Sequence, residues 1–435
     1  MSETSAGKMR WYSGLTGYHY LVLTVACLGW SFDTMDQWLF VFSKQHAITS
    51  LLGDAGTPEL VAWYNGLLTA IMMIGWATGG LVFGMYGDRL GRTKTMALTI
   101  LIYAGFTGLS AFSWDIYSFA TFRFLTGLGI GGEFAAGAAL VAESLPAHAR
   151  PTALGVVQGT SALGNICAGL INLGMSSHMS TDTAWRWMFA VGFLPALLVA
   201  VIIFFISEPE QWKQARARAN EGKERVGSMG DLFRDPVIRR NTLVALTLAS
   251  VGVIGFWGIG TWTPELYRAV FNPTNDPALK SAVEQQVSYV GMAQNFGGFF
   301  GAICFAWIAQ AIGRRPTFAL ALLSCLLVIP VTVFFTDTFA KAIVLFFCLG
   351  FVLLFLLGGF AVYFPELFPT RLRSTGTGFC YNVARFVTAA GVMVSGGLAK
   401  EYGYTNSALV MCGIFIIGLM VLPLAPETRN KPLPE

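Results

Sequence analysis

Long apolar runs alternate with short polar breaks along this chain, and the runs are longer than the helices of a soluble core. Counted between breaks, they fall at about 17–43, 60–86, 94–112, 117–144, 152–177, 185–206, 240–270, 284–311, 317–335, 339–364, 375–399 and 404–424. A helix rises about 1.5 Å per residue and the hydrocarbon of a bilayer is about 30 Å thick, so about 20 apolar residues cross it. The pattern predicts an all-α membrane protein of twelve spanning helices. An even number of spans puts both termini on one side.

Composition agrees. Apolar side chains make up 54% of the 435 residues and charged ones 12%, with a mean hydropathy of +0.60, outside the range of soluble domains. The first run is too long for a signal peptide and lacks a small-residue cleavage site, so it reads as a permanent span. Lys and Arg gather in the breaks at 84–94, 146–151, 207–239, 313–316 and 367–374 and in the C-terminal tail; the intervening breaks hold few. That asymmetry predicts cytoplasmic termini in a cell, or inner, membrane, with lipid as the surrounding partner. The net charge of +4 therefore reports topology and gives no support for nucleic-acid binding. The seven cysteines all fall in apolar runs without ligand spacing and read as packing residues. No metal cluster, nucleotide loop or Ser/His/Asp set stands out, so neither a cofactor nor an enzyme is expected.

The longest break divides the chain into residues 1–206, a linker 207–239 and residues 240–435, with six spans on either side. Its basic residues, among them Lys213, Arg216, Arg218, Lys223 and Arg225, suggest short helices on the inner surface. The two sides repeat each other. Glu143 with Pro146 and Arg150 recurs at one constant offset as Glu366 with Pro369 and Arg373, and Gly91-Arg92 recurs as Gly313-Arg314. A parallel six-span repeat is an architecture of alternating-access carriers, whose substrate sits near the midplane between the halves.

Few polar residues lie inside the spans. Asp33 and Asp36, three apart, share a face of the first span, and a charge at bilayer depth costs about 2.5–3.5 kcal/mol on insertion scales. Such a face is stable toward a water-filled cavity, a cation or a bound proton. Arg123, near the outer end of span four, lies at a depth where it can pair with either acid. Arg385 falls near the midplane of span eleven with no acid at matching depth, Glu265 nearer the outer side excepted; its planar fork suits a carboxylate. Weaker cavity candidates are Gln158 and Asn165 with Asn172 at helical spacing, Gln294, Asn295, Asn382, and the rings of Trp257, Tyr363 and Tyr381.

The repeated loops resemble those of the major facilitator superfamily. Gly84-x-x-x-Asp88-Arg89-x-Gly91-Arg92, Gly313-Arg314-Arg315, Arg123-x-x-x-Gly127, Glu143 with Arg150, Ser207-Glu-Pro-Glu210, Glu366 with Arg373, and Pro426-Glu427-Thr428 are similar to motifs of its sugar-porter-like branch and organic-ion relatives. Asp33-Thr-Met-Asp36 and Gly131-Gly132-Glu133 resemble the organic-acid:proton symporters of sialate, lactate or pyruvate, and aromatic acids. The resemblance implies that Asp33, Asp36 or Glu133 carries a proton, with Arg123 as partner, and that Arg385 holds an organic anion. Asp88, Arg89, Arg92, Glu143, Arg150, Arg314, Arg315, Glu366 and Arg373 are then expected to gate the path at its inner end. A monomeric proton:organic-anion symporter is the reading; alternatives are a sugar or polyol carrier, weakened by the lack of paired glutamines in span seven, and an anion exchanger. A membrane sensor that kept the fold is disfavoured by the short tails.

Overall fold

The computed structural model describes residues 11–178, 181–221, 227–259, 263–271 and 276–434. The first six spans are α1 (Gly17–Leu52), α2 (Pro58–Leu90), α3 (Arg92–Ser110), α4 (Ile116–Ser144), α5 (Arg150–Gly159) with α6 (Ser161–His178), and α7 (Thr181–Val191) with α8 (Ala196–Phe205). Short α9 (Glu210–Asn220) and α10 (Asp231–Arg234) follow. The remaining spans are α11 (Pro236–Gly258), continued by α12 (Thr263–Phe271), then α13 (Pro277–Ile312), α14 (Arg314–Phe335), α15 (Phe339–Leu367), α16 (Arg373–Cys412) and α17 (Ile414–Val421). Lys223 and Arg225 lie outside the described residues, as does the side chain of Glu265.

Four expected single spans, 152–177, 185–206, 240–270 and 404–424, are each divided between two helices, the last at Gly413. At Thr160, between α5 and α6, the hydroxyl donates to Cys27 O at 3.2 Å and the carbonyl accepts from Ser31 at 3.0 Å, which ties the break to α1. Between α7 and α8 lies Pro195, whose ring cannot continue a helix from the preceding turn. The chain must also double back within residues 373–427, because Arg373 and Glu427 lie at the same end of the bundle. The break expected at 400–403 is not seen as one: the helix α16 runs through it, from Arg373 to Cys412.

Nine described stretches are long and apolar enough to cross a bilayer by themselves. Two helices that fall short, α1 and α3, carry inward-facing polar groups: Asp33 and Asp36, and the buried Thr95, Thr99, Thr107 and Ser110. Close crossings recur in both halves. A side chain on Gly79 would collide with the Leu128 carbonyl of α4, and one on Gly301 with the Phe351 carbonyl of α15, so α2/α4 and α13/α15 pack backbone to backbone. One end of the bundle gathers Ser13, which meets His148 at 2.9 Å, Tyr18, which donates to Ser207 O at 3.1 Å, and the tail through Pro434.

Candidate transport site and latch

At that end the repeated loops form a buried network. Gly91 and Gly313, at φ of 115° and 100°, turn the chain into α3 and α14, a backbone conformation that favours glycine. Arg92, entering α3, makes a two-pronged pair with Glu143 at 3.1 and 2.9 Å and meets Asp88 at 2.8 Å. Arg314, entering α14, makes the equivalent pair with Glu366 at 3.0 and 2.7 Å. Carboxylates also cap both helix starts. Glu208 accepts from the N–H groups of Arg92, Thr93 and Lys94, and Glu427 from those of Arg314 and Arg315. Burial opposes ionisation of Glu427, but the N–H groups of Arg314, Arg315 and Arg429 outweigh it and hold its pKa below the ordinary value.

Two of these clusters cross between the halves. Asp88 accepts from Ser374 N–H at 3.1 Å and from Thr375 N–H and hydroxyl at 2.8 and 2.6 Å, capping the start of α16. Arg373 donates to Glu143 at 2.7 Å and to Pro434 O at 2.9 Å. Arg92 further donates to Thr370 O at 2.8 Å. The counterpart residue Arg150 behaves differently: it donates to Leu145 O at 3.4 Å and its Nε has no partner among the described residues. Arg89 is exposed and makes no bond into the network among the described residues, while Arg315 adds a bond to Pro423 O at 3.2 Å.

Within the first half the two aspartates part company. Asp36 accepts from Thr107 at 2.6 Å and faces Arg123 at 3.7 Å; Arg123 in turn donates to Ser110 at 3.1 and 2.6 Å and lies over the Phe189 ring at 4.6 Å. Depth alone left both acids open as its partner, and the structure pairs Arg123 with Asp36. Asp33 instead sits beside Glu133, close enough for the two carboxyls to share a hydrogen bond when one is protonated. Both are fully buried, and none of their four oxygens has another donor among the described residues. Gly29 makes this room: a side chain there would collide with Glu133.

Arg385 lies across from this pair. Its guanidinium lies over two rings, Trp76 at 3.9 Å and Tyr381 at 4.5 Å from the ring centres, and it donates to the Asn382 side chain. It forms no ion pair with any described carboxylate, although Asp33 acts on it electrostatically. The ring stack continues from Tyr381 to Phe134 and on to Trp30, with centroids 4.7 Å apart at each step.

The other expected cavity residues divide. Asn165 donates to Asn295 of the opposite half at 2.9 Å, Gln294 accepts from Thr263 at 2.6 Å, and Trp257 is half-buried against Phe256. Gln158 is buried beside the break, and its Oε1 has no partner among the described residues. Tyr363 belongs elsewhere than expected: its hydroxyl donates to Pro426 O at 2.6 Å, so it serves the tail at the latch end rather than a cavity wall. Sequence reading missed Trp76 and the capping roles of Glu208 and Glu427; the two acids stood in quoted motifs, but nothing in the sequence put Trp76 beside Arg385.

The family model of the Major Facilitator Superfamily matches residues 26–380 and 268–435. The chain belongs to this superfamily. It is a transporter and a multi-pass membrane protein, not an enzyme. Among curated relatives, it is 31% identical over 431 residues to the "Probable 4-methylmuconolactone transporter" of Cupriavidus pinatubonensis, covering 97% of this chain and 93% of that one. It is 28% identical to the niacin transporter NiaP of Acinetobacter baylyi over 96% of each. Among solved structures, the proton:xylose symporter XylE superposes with a TM-score of 0.76 at 18% identity, over 96% of this chain and 98% of that one, which establishes a shared fold.

Proposed function

We propose that the protein is a proton-coupled symporter of a small organic anion, carried through a bacterial-type inner membrane by alternating access. The observation that carries this reading is Arg385: a buried cation, stacked and oriented, that no described carboxylate neutralises. A guanidinium enclosed in this way is suited to a two-pronged grip on a substrate carboxylate. The relatives named for a muconolactone and for niacin support an organic-acid substrate.

Coupling follows from Asp33. Its charged neighbours are Glu133 of α4, Asp36 of α1 and Arg385 of α16, with the Tyr103 hydroxyl of α3 also close. Two enclosed carboxyls with no other donor repel if both are ionised, and a proton between them removes the conflict. With that proton bound, Asp33 no longer competes for Arg385, which is then free to take the substrate. Proton and anion thus load together, and the latch opens the loaded carrier to the cytoplasm.

The test is uptake of radiolabelled small carboxylates by proteoliposomes under an inwardly directed proton gradient. The expected result is accumulation above equilibrium that a protonophore abolishes. Uptake of a neutral sugar, with no carboxylate accumulated, would contradict the reading.

A further inference from the structure

The groups that position Arg385 come from both halves of the chain. Tyr381 and Asn382 lie on its own helix, but Trp76 lies on α2. Asn382 rests directly on Gly80 of α2: any side chain at Gly80 would occupy the space of the Asn382 amide. From there the seam between α2 and α16 continues toward the latch through small residues. A side chain on Gly378 would come within 2.7 Å of Gly80 O and 3.3 Å of the Gly84 Cα, and one on Gly84 within 3.2 Å of Ser374 O. The seam ends at the Asp88 cap on Ser374 and Thr375.

We infer that Trp76 and Gly80 are positioning residues of the anion site, seating Arg385 and Asn382 from the opposite half, so that the clamp is assembled only while the α2–α16 seam is closed. This inference rests on the proposed anion reading. Its physical basis is preorganisation: a guanidinium held against two rings and an amide spends less ordering entropy when a carboxylate arrives. Opening at the latch end separates α2 from α16, removes one ring face and the seat of Asn382, and leaves Arg385 mobile. Anion affinity therefore falls on the side where the substrate must leave, which speeds release without any new residue entering the site, while the proton gradient sets the direction.

The test compares a carboxylate bound by the wild type with its methyl ester, using the full chain in detergent. Trp76→Leu and Gly80→Ala should weaken acid binding about tenfold, the range expected for a desolvated cation–π contact, with ester binding unmoved. Trp76→Phe, which keeps a ring, should stay within about threefold. Hydrogen exchange on the wild type gives a second measurement that needs no variant: the acid should protect backbone around residues 76–84 together with 378–385, and the ester neither. Unchanged acid affinity in Trp76→Leu, equal loss for acid and ester, or protection confined to α16 would overturn the inference. If the wild type itself binds acid and ester alike, it is the anion reading that fails.

Discussion

Asp88 and Thr375 belong to different halves of the chain and are joined twice, by the Thr375 N–H at 2.8 Å and by its hydroxyl at 2.6 Å, both donating to Oδ2. The mirror position in the repeat holds Gln310, which donates to Thr152 at 2.9 Å. The two locks are unequal for a local reason. Ser374 supplies an N–H beside Thr375, whereas Pro151 stands beside Thr152 and has none. A carboxylate would gain less at the second lock, and a neutral amide serves there.

Asp88→Ala should therefore impair the carrier far more than Gln310→Ala. Each charge-assisted bond in a buried site is worth about 1.5–3 kcal/mol, against about 0.5–1.5 for a neutral one. The measurement is turnover alongside substrate binding. Turnover should fall strongly in Asp88→Ala and mildly in Gln310→Ala, with the order of preference among carboxylates unchanged in both, since no latch residue touches Arg385. A changed preference would count against a gating role.

The two aspartates of α1 should separate experimentally. Asp33→Asn and Glu133→Gln are expected to lose proton-driven accumulation while retaining exchange of substrate for substrate, which needs no net proton movement. Asp36→Asn leaves the buried Arg123 charge poorly compensated, and breaking a buried pair typically costs about 3–5 kcal/mol. Its main effect should appear in melting temperature and yield. Accumulation intact in both Asp33→Asn and Glu133→Gln would remove these residues from coupling.

Much of this was legible in the chain itself. The helical membrane fold follows from apolar run lengths, and the repeated loops put Arg92, Glu143, Arg314 and Glu366 among the gating candidates, but which arginine meets which carboxylate came only from the structure. Helix interruptions were less visible, because the break at Thr160 is held by bonds to Cys27 and Ser31 far away in sequence. The choice between Asp33 and Asp36 was hidden for a related reason. They lie three apart on one helix, and only the positions of Thr107, Arg123 and Glu133 on α3 and α4 distinguish them. Tyr363 was misplaced because an aromatic near a span end reads alike whether its hydroxyl meets a ligand or the backbone of Pro426.

Glu427 gives a prediction in pH. Its folded pKa is lowered by the N–H groups at the start of α14, so its stabilisation is complete above the ordinary glutamate value and is lost as pH falls through the lower folded value. Glu427→Gln should melt below wild type at neutral pH, and the gap should close as the pH is brought below about 4. A gap independent of pH would mean that the charge of Glu427 contributes nothing.

The most direct measurement concerns Arg385. Binding of a transported acid and of its methyl ester is compared on wild type and on Arg385→Lys, with melting temperature as the folding control. A two-pronged grip in a dry site predicts that the ester binds the wild type roughly ten- to a hundredfold more weakly than the acid. It predicts a similar loss of acid binding in Arg385→Lys, because an ammonium keeps the charge and loses the fork. Equal affinity for acid and ester on the wild type, or full acid binding by Arg385→Lys, would contradict the carboxylate clamp.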